Sequence, residues 1–233
     1  MGSFAISTIN IPVGDHIVRH IGPLAFDVDT ILSTVVAGVI VVVLGFVMRA
    51  KLTSGVPNGL QLFFETAVDF IEDLVESSIG KKTSRLVPLA FSLFLFILVA
   101  NWLSLIPTGY PRSLLPAPAE DVNTTYALAF IVIVIVHIGG LRVKRFKYFN
   151  HYKNPLNIIE ELVKPVTLAL RLFGNIFTGG LIVLLIGALL PIELVPFVTA
   201  GWKIFDMFIG FIQAFIFALL TVVYYGLAVE ESH

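Results

Sequence analysis

Seven polar residues sit at helical spacing inside two apolar runs, and their types are those that handle a mobile charge. In KPVTLALRLFGNIFTGGLIVLLIGALLP, Thr167, Arg171, Asn175 and Thr178 recur at steps of four, four and three, so they share one helix face. In the next run Lys203, Asp206 and Gln213 do the same, with Gly210 completing the stripe. Arg171 is the costly member. A guanidinium keeps its proton in a protein, and an arginine at the centre of a membrane-crossing helix costs about 2.5–3.5 kcal/mol on insertion scales. Two helices carrying such stripes imply a hydrated path or a polar interface between them.

Each of these residues also has a plainer structural reading. Arg171 lies seven residues from Lys164 and has the reach to snorkel toward headgroups. Lys203 and Asp206, three apart, can pair with each other, and Gln213 can simply bond a neighbouring helix. His137, at the end of IVIVIVHIGG, reads as a packed or interfacial histidine, and Glu160 and Glu161 as the solvated first turn of a helix, where acids favour the macrodipole. Next to the stripe, Gly210, Ala214 and Ala218 form a small-xxx-small row that lets another helix come close.

The elements that must hold these residues are set by the solvent, and composition names it. Of 233 residues 57% are hydrophobic and 13% charged, far below the roughly 25% charged of a soluble domain, so the chain is an integral membrane protein. A net charge of −1 gives no basic face for nucleic acid. With no cysteine there are no disulfides, thiolate metal sites or cysteine nucleophile, and no cofactor or metal site is expected.

Measured against the roughly 20 residues needed to cross about 30 Å of hydrocarbon, five runs qualify: about Thr30 to Met48, Leu86 to Pro107, Thr125 to Leu141, Lys164 to Leu190 and Val195 to Ala228. The expected fold is therefore an all-α integral membrane protein with about five membrane-crossing helices. Between the first two runs, Leu62, Phe63, Val68, Phe70, Ile71, Leu74 and Val75 alternate with Glu65, Asp69, Glu72, Asp73 and Glu76. That pattern predicts an amphipathic helix along the membrane interface or packed on neighbouring loops. The last two runs reach roughly 40 and 50 Å at 1.5 Å per residue, so as continuous helices they form a long hairpin that leans by more than about 45°, against a usual 20° or so. Breaks at Gly201 or Gly210 would relieve the lean.

The chain divides into an external N-terminal extension (1–29), three crossings with the interfacial helix (30–153) and the tilted hairpin (154–233). Lys and Arg set the orientation. Arg49, Lys51, Lys81, Lys82, Arg85, Arg142, Lys144, Arg145, Lys147 and Lys153 fall on one face if five crossings alternate, leaving Arg19 and Arg112 opposite. The first face is expected to be cytoplasmic, with the N-terminus outside and the C-terminus inside. Counting from the turn at Pro191 to Val195 puts Arg171 level with Gln213, and Gly180 level with Asp206.

EELVKPVTLALRLFGNIFTGG followed by WKIFDMFIGFIQAFIFALLTVVYYGLA resembles the C-terminal signature of subunit a of the bacterial rotary ATP synthase, strongly over about Asn154 to Glu230 and more weakly through GLQLFFE and VANWLSLIP. The resemblance implies a stator subunit that carries protons through two offset half-channels to a ring of c subunits, beside b-type peripheral stalk subunits in the plasma membrane. Arg171 matches the family's essential arginine, Asn175 its neighbouring asparagine, and Gln213 the glutamine of QAFIF. Asp206 falls where members place a titratable group on the last helix, and Gly180 where some carry glutamate. Asn101 and Ser104 match the outer-channel region, without the acids some relatives have there, and Glu160 and Glu161 match the start of the inner path. The rival reading, a secondary transporter or channel whose Arg171 binds an anion, calls for inverted repeats, and none is evident. No G-x-x-x-x-G-K-[ST] loop occurs, so nucleotide chemistry is expected on partner subunits.

Overall fold

The computed structural model describes residues 18–21, 24–79, 86–103, 105, 116–145, 148 and 155–229. Ser104, Lys81, Lys82, Arg85, Arg112, Lys147, Lys153 and both chain ends lie outside them. The first described element was not expected. Val18–Ile21 (β1) and Leu24–Asp27 (β2) pair antiparallel, with Ile21 opposite Leu24, in a stretch the sequence suggested was only a polar extension.

Six helices follow. The first, α1 (Val28–Ala50), buries only Asp29, Thr30, Ser33 and Ala37. The Ser33 and Thr34 hydroxyls donate to the Thr30 carbonyl one turn back, which satisfies them within the helix. Val36, Ile40, Val41, Leu44 and Met48 pack half-buried against the core, and the opposite side of α1 is an exposed apolar surface, with Val35 56% and Phe46 66% accessible, which only lipid or another apolar partner solvates well.

The interfacial helix, α2 (Gly59–Ile79), has three faces rather than two. Gln61, Phe64, Ile71 and Val75 point into the bundle, and Glu65, Asp69, Glu72, Asp73 and Glu76 face outward. Leu62, Phe63 and Phe70, three of the apolar positions that defined the amphipathic pattern, are exposed. Phe63 and Phe70 form a lateral aromatic flank that shares an apolar groove with Phe94, Phe211 and Phe215. A mean period read from sequence merges two adjacent apolar faces when no acid separates them.

At the centre lies α3 (Val87–Leu103), apolar on every side, with most of its residues buried. Helices hydrophobic all round belong in the middle of a bundle, and α3 packs between α1 and α6. At 17 residues it is about 26 Å long. A 3-10 turn at Pro118–Glu120 leads into α4 (Val122–Lys144). The Asp121 carboxylate caps α4 by accepting from the Asn123 backbone N–H at 2.8 Å. After α4, Arg145 takes a positive φ of 50° and ends the helix.

The hairpin is formed by α5 (Pro155–Leu189) and α6 (Val195–Val229), 35 residues each, or about 52 Å. The fourth run thus begins nine residues earlier than expected. Glu160 and Glu161, expected in a first helical turn, lie in the second turn of α5, and the helix continues through Pro165 at the cost of one backbone hydrogen bond. The sixth helix is unbroken at Gly201 and Gly210, so no break relieves the lean. Between the two helices the Leu194 N–H donates to Pro191 O at 2.9 Å and closes the turn.

Candidate functional site

Gly179 sets the register of the hairpin. The Trp202 indole N–H donates to Gly179 O at 3.3 Å, and a Cβ built on Gly179 would lie 3.0 Å from Asp206 Oδ1. The Asp206 carboxylate therefore rests against α5 and not toward lipid. The gap it occupies is left by Gly179, not by Gly180 as the count from the turn suggested. Adjacent helical residues differ by about 100° in direction, so only one of two neighbouring glycines can face α6.

Trp202 and Asp206 straddle Gly179, which places residue 204 level with it. Eight residues further along α5 is Arg171, and eight further along α6 is residue 212, next to Gln213. The two helices thus bring Arg171 and Gln213 to the same level within about 1.5 Å, with Asp206 about 9–10 Å nearer the turn.

At that level the environments differ sharply. Arg171 is exposed, and no hydrogen bond or ion pair reaches it from the described residues. Gln213 is buried on α6, and its Nε2 is enclosed without a partner. Asn175 Nδ2, one turn from Arg171, is likewise enclosed and unpartnered. Two amide groups that can donate, one from each helix, thus stand without acceptors beside a cation turned outward. A buried unmet donor costs about 1–3 kcal/mol, so the site is incomplete without water or an acceptor from another molecule. Although the two are level, the guanidinium does not donate to the Gln213 amide oxygen. The glutamine points into the bundle and the arginine off its flank.

The remaining polar residues divide. Asn101 is buried, and its Nδ2 donates to Gly210 O at 3.2 Å, while the Trp102 indole donates to Met207 O at 3.2 Å. These bonds fasten α3 to α6. The small row works as its spacing suggested, since Gly210, Ala214 and Ala218 are buried and a Cβ on Gly210 would approach Asn101 Cβ to 3.2 Å. Thr178 is exposed, as Arg171 is, whereas the Thr167 hydroxyl donates to the carbonyls of Val163 and Lys164. Lys203 is half-buried. Ser104 lies outside the described residues.

The far end of α5 holds a cluster the sequence did not suggest. Lys164 is buried, with Nζ 2.7 Å from Glu161 Oε1, 3.2 Å from Glu160 Oε1 and 5.5 Å from the centre of the Tyr224 ring. His137 of α4 brings Nε2 to 3.9 Å from Glu161 Oε2. Glu161 is therefore not a solvated residue, whereas Glu160 stays 57% accessible while it pairs with Lys164. The spacing of three and four residues between the acids and Lys164 was the available signal.

The pattern of the ATP synthase A chain family matches residues 31–226. Three relatives, each an ATP synthase subunit a, show the same relation over nearly the whole chain. That of Acidothermus cellulolyticus is 44% identical over 231 residues, 96% of this chain and 84% of its own length. That of Mycobacterium tuberculosis is 43% identical over 246 residues, 98% of both chains. That of Gloeobacter violaceus is 38% identical over 230 residues, 95% of this chain and 92% of its own. With a matched span that includes all six helices but for a few terminal residues, and with a lone arginine turned outward from a long two-helix hairpin, the chain belongs to the ATP synthase A chain family and is a multi-pass membrane subunit of that complex.

Proposed function

We infer that Arg171 faces a carboxylate carried on a rotating ring of c subunits, and that protons reach and leave that carboxylate by two separate paths through this chain. The role of proton-channel stator subunit follows from the family. The residue assignments rest on one observation above the rest: a permanent cation at mid-hairpin, exposed and without a partner among the described residues, beside two unpartnered buried amides.

A proton from outside passes Asn101 and Asp206 and neutralises the ring carboxylate, which can then enter lipid. After nearly a full turn the carboxylate meets the inner path, releases its proton toward Glu161 and Glu160, and pairs with Arg171. Two unit charges at 4 Å interact by about 4 kcal/mol at an effective dielectric of 20, roughly a thousandfold in an ionisation equilibrium, which is enough to favour release. The same fixed charge repels a hydronium moving directly between the paths. The orientation has the C-terminus and the Arg49, Lys51, Arg142, Lys144 and Arg145 end in the cytoplasm of a bacterial plasma membrane.

Two experiments test the assignments. Thr178 is exposed two turns from Arg171 on the same flank, so Thr178→Cys should cross-link to a cysteine on the outer helix of a c subunit, with rotation blocked until the bond is reduced. Cross-linking confined to other subunits would move the ring to a different face. Asp206→Asn should slow ATP-driven acidification of inverted vesicles without loss of assembly, because the outer path loses its titratable group. An unchanged rate and pH profile removes Asp206 from the path.

A further inference from the structure

We propose that His137 and Glu161 form a proton-exchange pair at the mouth of the inner path, with Lys164 as the positioning residue that turns one carboxylate oxygen toward the imidazole. The proposal rests on the inner-path reading above and extends it to a residue on a different helix.

The geometry divides the carboxylate between two partners. Lys164 Nζ holds Glu161 Oε1 at 2.7 Å and is itself fixed by Glu160 at 3.2 Å and by the face of Tyr224. Oε2 is thereby left pointing at α4. It is buried, with no hydrogen-bond partner among the described residues, and stands 3.9 Å from His137 Nε2. That gap is too long for a direct bond and suits a shift of under an ångström or one bridging water. The accessibility of the two side chains rises from 13% at Glu161 to 34% at His137, so the pair leads from the interior to the molecular surface.

Other groups around the imidazole hold its position. The His137 ring stands edge-on to Tyr148 with centroids 6.0 Å apart. Two consecutive glycines let the aromatic rings in: a Cβ on Gly140 would clash with the Tyr148 ring, and one on Gly139 with the Tyr225 ring of α6. The charged and titratable groups around the pair are thus Glu160, Glu161 and Lys164 from α5, Tyr224 and Tyr225 from α6, Tyr148, and Arg142 and Lys144 in the last turn of α4.

The step balances without another reactant. With Glu161 protonated on Oε2, the O–H bond breaks as an N–H bond forms on neutral Nε2. The electron pair stays on Oε2, which restores the carboxylate held by Lys164, and the imidazolium passes its proton to water. Histidine suits this task because it changes charge between about pH 5 and 8.

The test uses the intact complex in inverted vesicles, where the medium sets the pH at the inner face. His137→Gln, which keeps size and hydrogen-bonding capacity, should slow ATP-driven acidification about tenfold and flatten its dependence on medium pH, and His137→Ala should regain rate when imidazole is added. Lys164→Met should share the flattened profile, and Lys164→Arg should retain most of the wild-type one. Wild-type rate and profile in both His137 variants would overturn the proposal, as would a slower rate with an unchanged profile and no response to imidazole. Failure of both His137 variants to assemble would assign the residue to packing and overturn it too. Arg171→Ala in the same vesicles separates the two readings. If it stops pumping while the His137 variants are normal, only the exchange pair falls; if it pumps normally, the underlying path assignment falls.

Discussion

Arg171→Ala is expected to abolish coupled pumping while leaving the complex assembled. The side chain is exposed and makes no hydrogen bond or ion pair with the described residues, so its removal deletes no intrachain contact. It also relieves the insertion cost of about 2.5–3.5 kcal/mol. What is lost is the only permanent charge among the described residues at the level of the two unpartnered amide nitrogens. In the role proposed above, the ring carboxylate then has no cation to favour its ionised form, and nothing repels a hydronium between the half-channels. The expected signature is therefore no ATP-driven acidification, normal subunit content and a passive proton leak. Arg171→Lys should recover part of the leak block but little pumping, because an ammonium supplies a point charge without the planar fork. Normal acidification by the alanine variant would sink the assignment.

The second large effect is structural. Gly210→Val should cut the amount of assembled subunit in the membrane by about tenfold or more. Its Cβ would stand 3.2 Å from Asn101 Cβ, and the branched methyls would add to the contact. The neighbour is the body of a buried helix and cannot swing aside as a flexible side-chain end would. Overpacking of this kind costs about 1–3 kcal/mol, and the displaced α3 also strains the Asn101–Gly210 and Trp102–Met207 hydrogen bonds, each worth about 1 kcal/mol. Gly45→Val is the control, since a Cβ there meets nothing within 4 Å. Equal abundance of the two variants would show that the α3–α6 contact is not what fixes the hairpin.

The large features were legible because the solvent dictates them. A crossing helix must be apolar over about 20 residues, so its run stands out even where its ends do not, and Arg171 stands out because its surroundings make it costly. Asp206 and Gln213 were singled out by shared spacing on one helix, and the common level of Arg171 and Gln213 by counting from the turn. What escaped was rotation and partnership. Choosing Gly179 over Gly180 requires the direction each presents to α6. Lys164 sat in the quoted stretch from the outset, but an ion pair with Glu161 inside a bundle looks in sequence like a charged helix start. His137 is 24 residues from Glu161 and meets it only because α4 and α5 run side by side. The β1–β2 ribbon was missed because strands of four residues carry too little period to read.

The shortness of α3 has an electrical consequence. That helix stops at Leu103, with Trp102 bonded beside Met207, while α6 continues some 12 residues, about 18 Å, toward the turn. Over that stretch, where Lys203 and Asp206 lie, α3 no longer shields α6. A transmembrane voltage is worth about 2.3 kcal/mol per elementary charge per 100 mV wherever it falls, and water conducts well enough to carry almost none of the drop. If water follows the outer path down to Asp206 and the inner path up to Glu161, the voltage is compressed into the segment between them, centred near Arg171. Nearly the whole field then acts where the ring carboxylate changes protonation, so that membrane potential and proton gradient drive the same step.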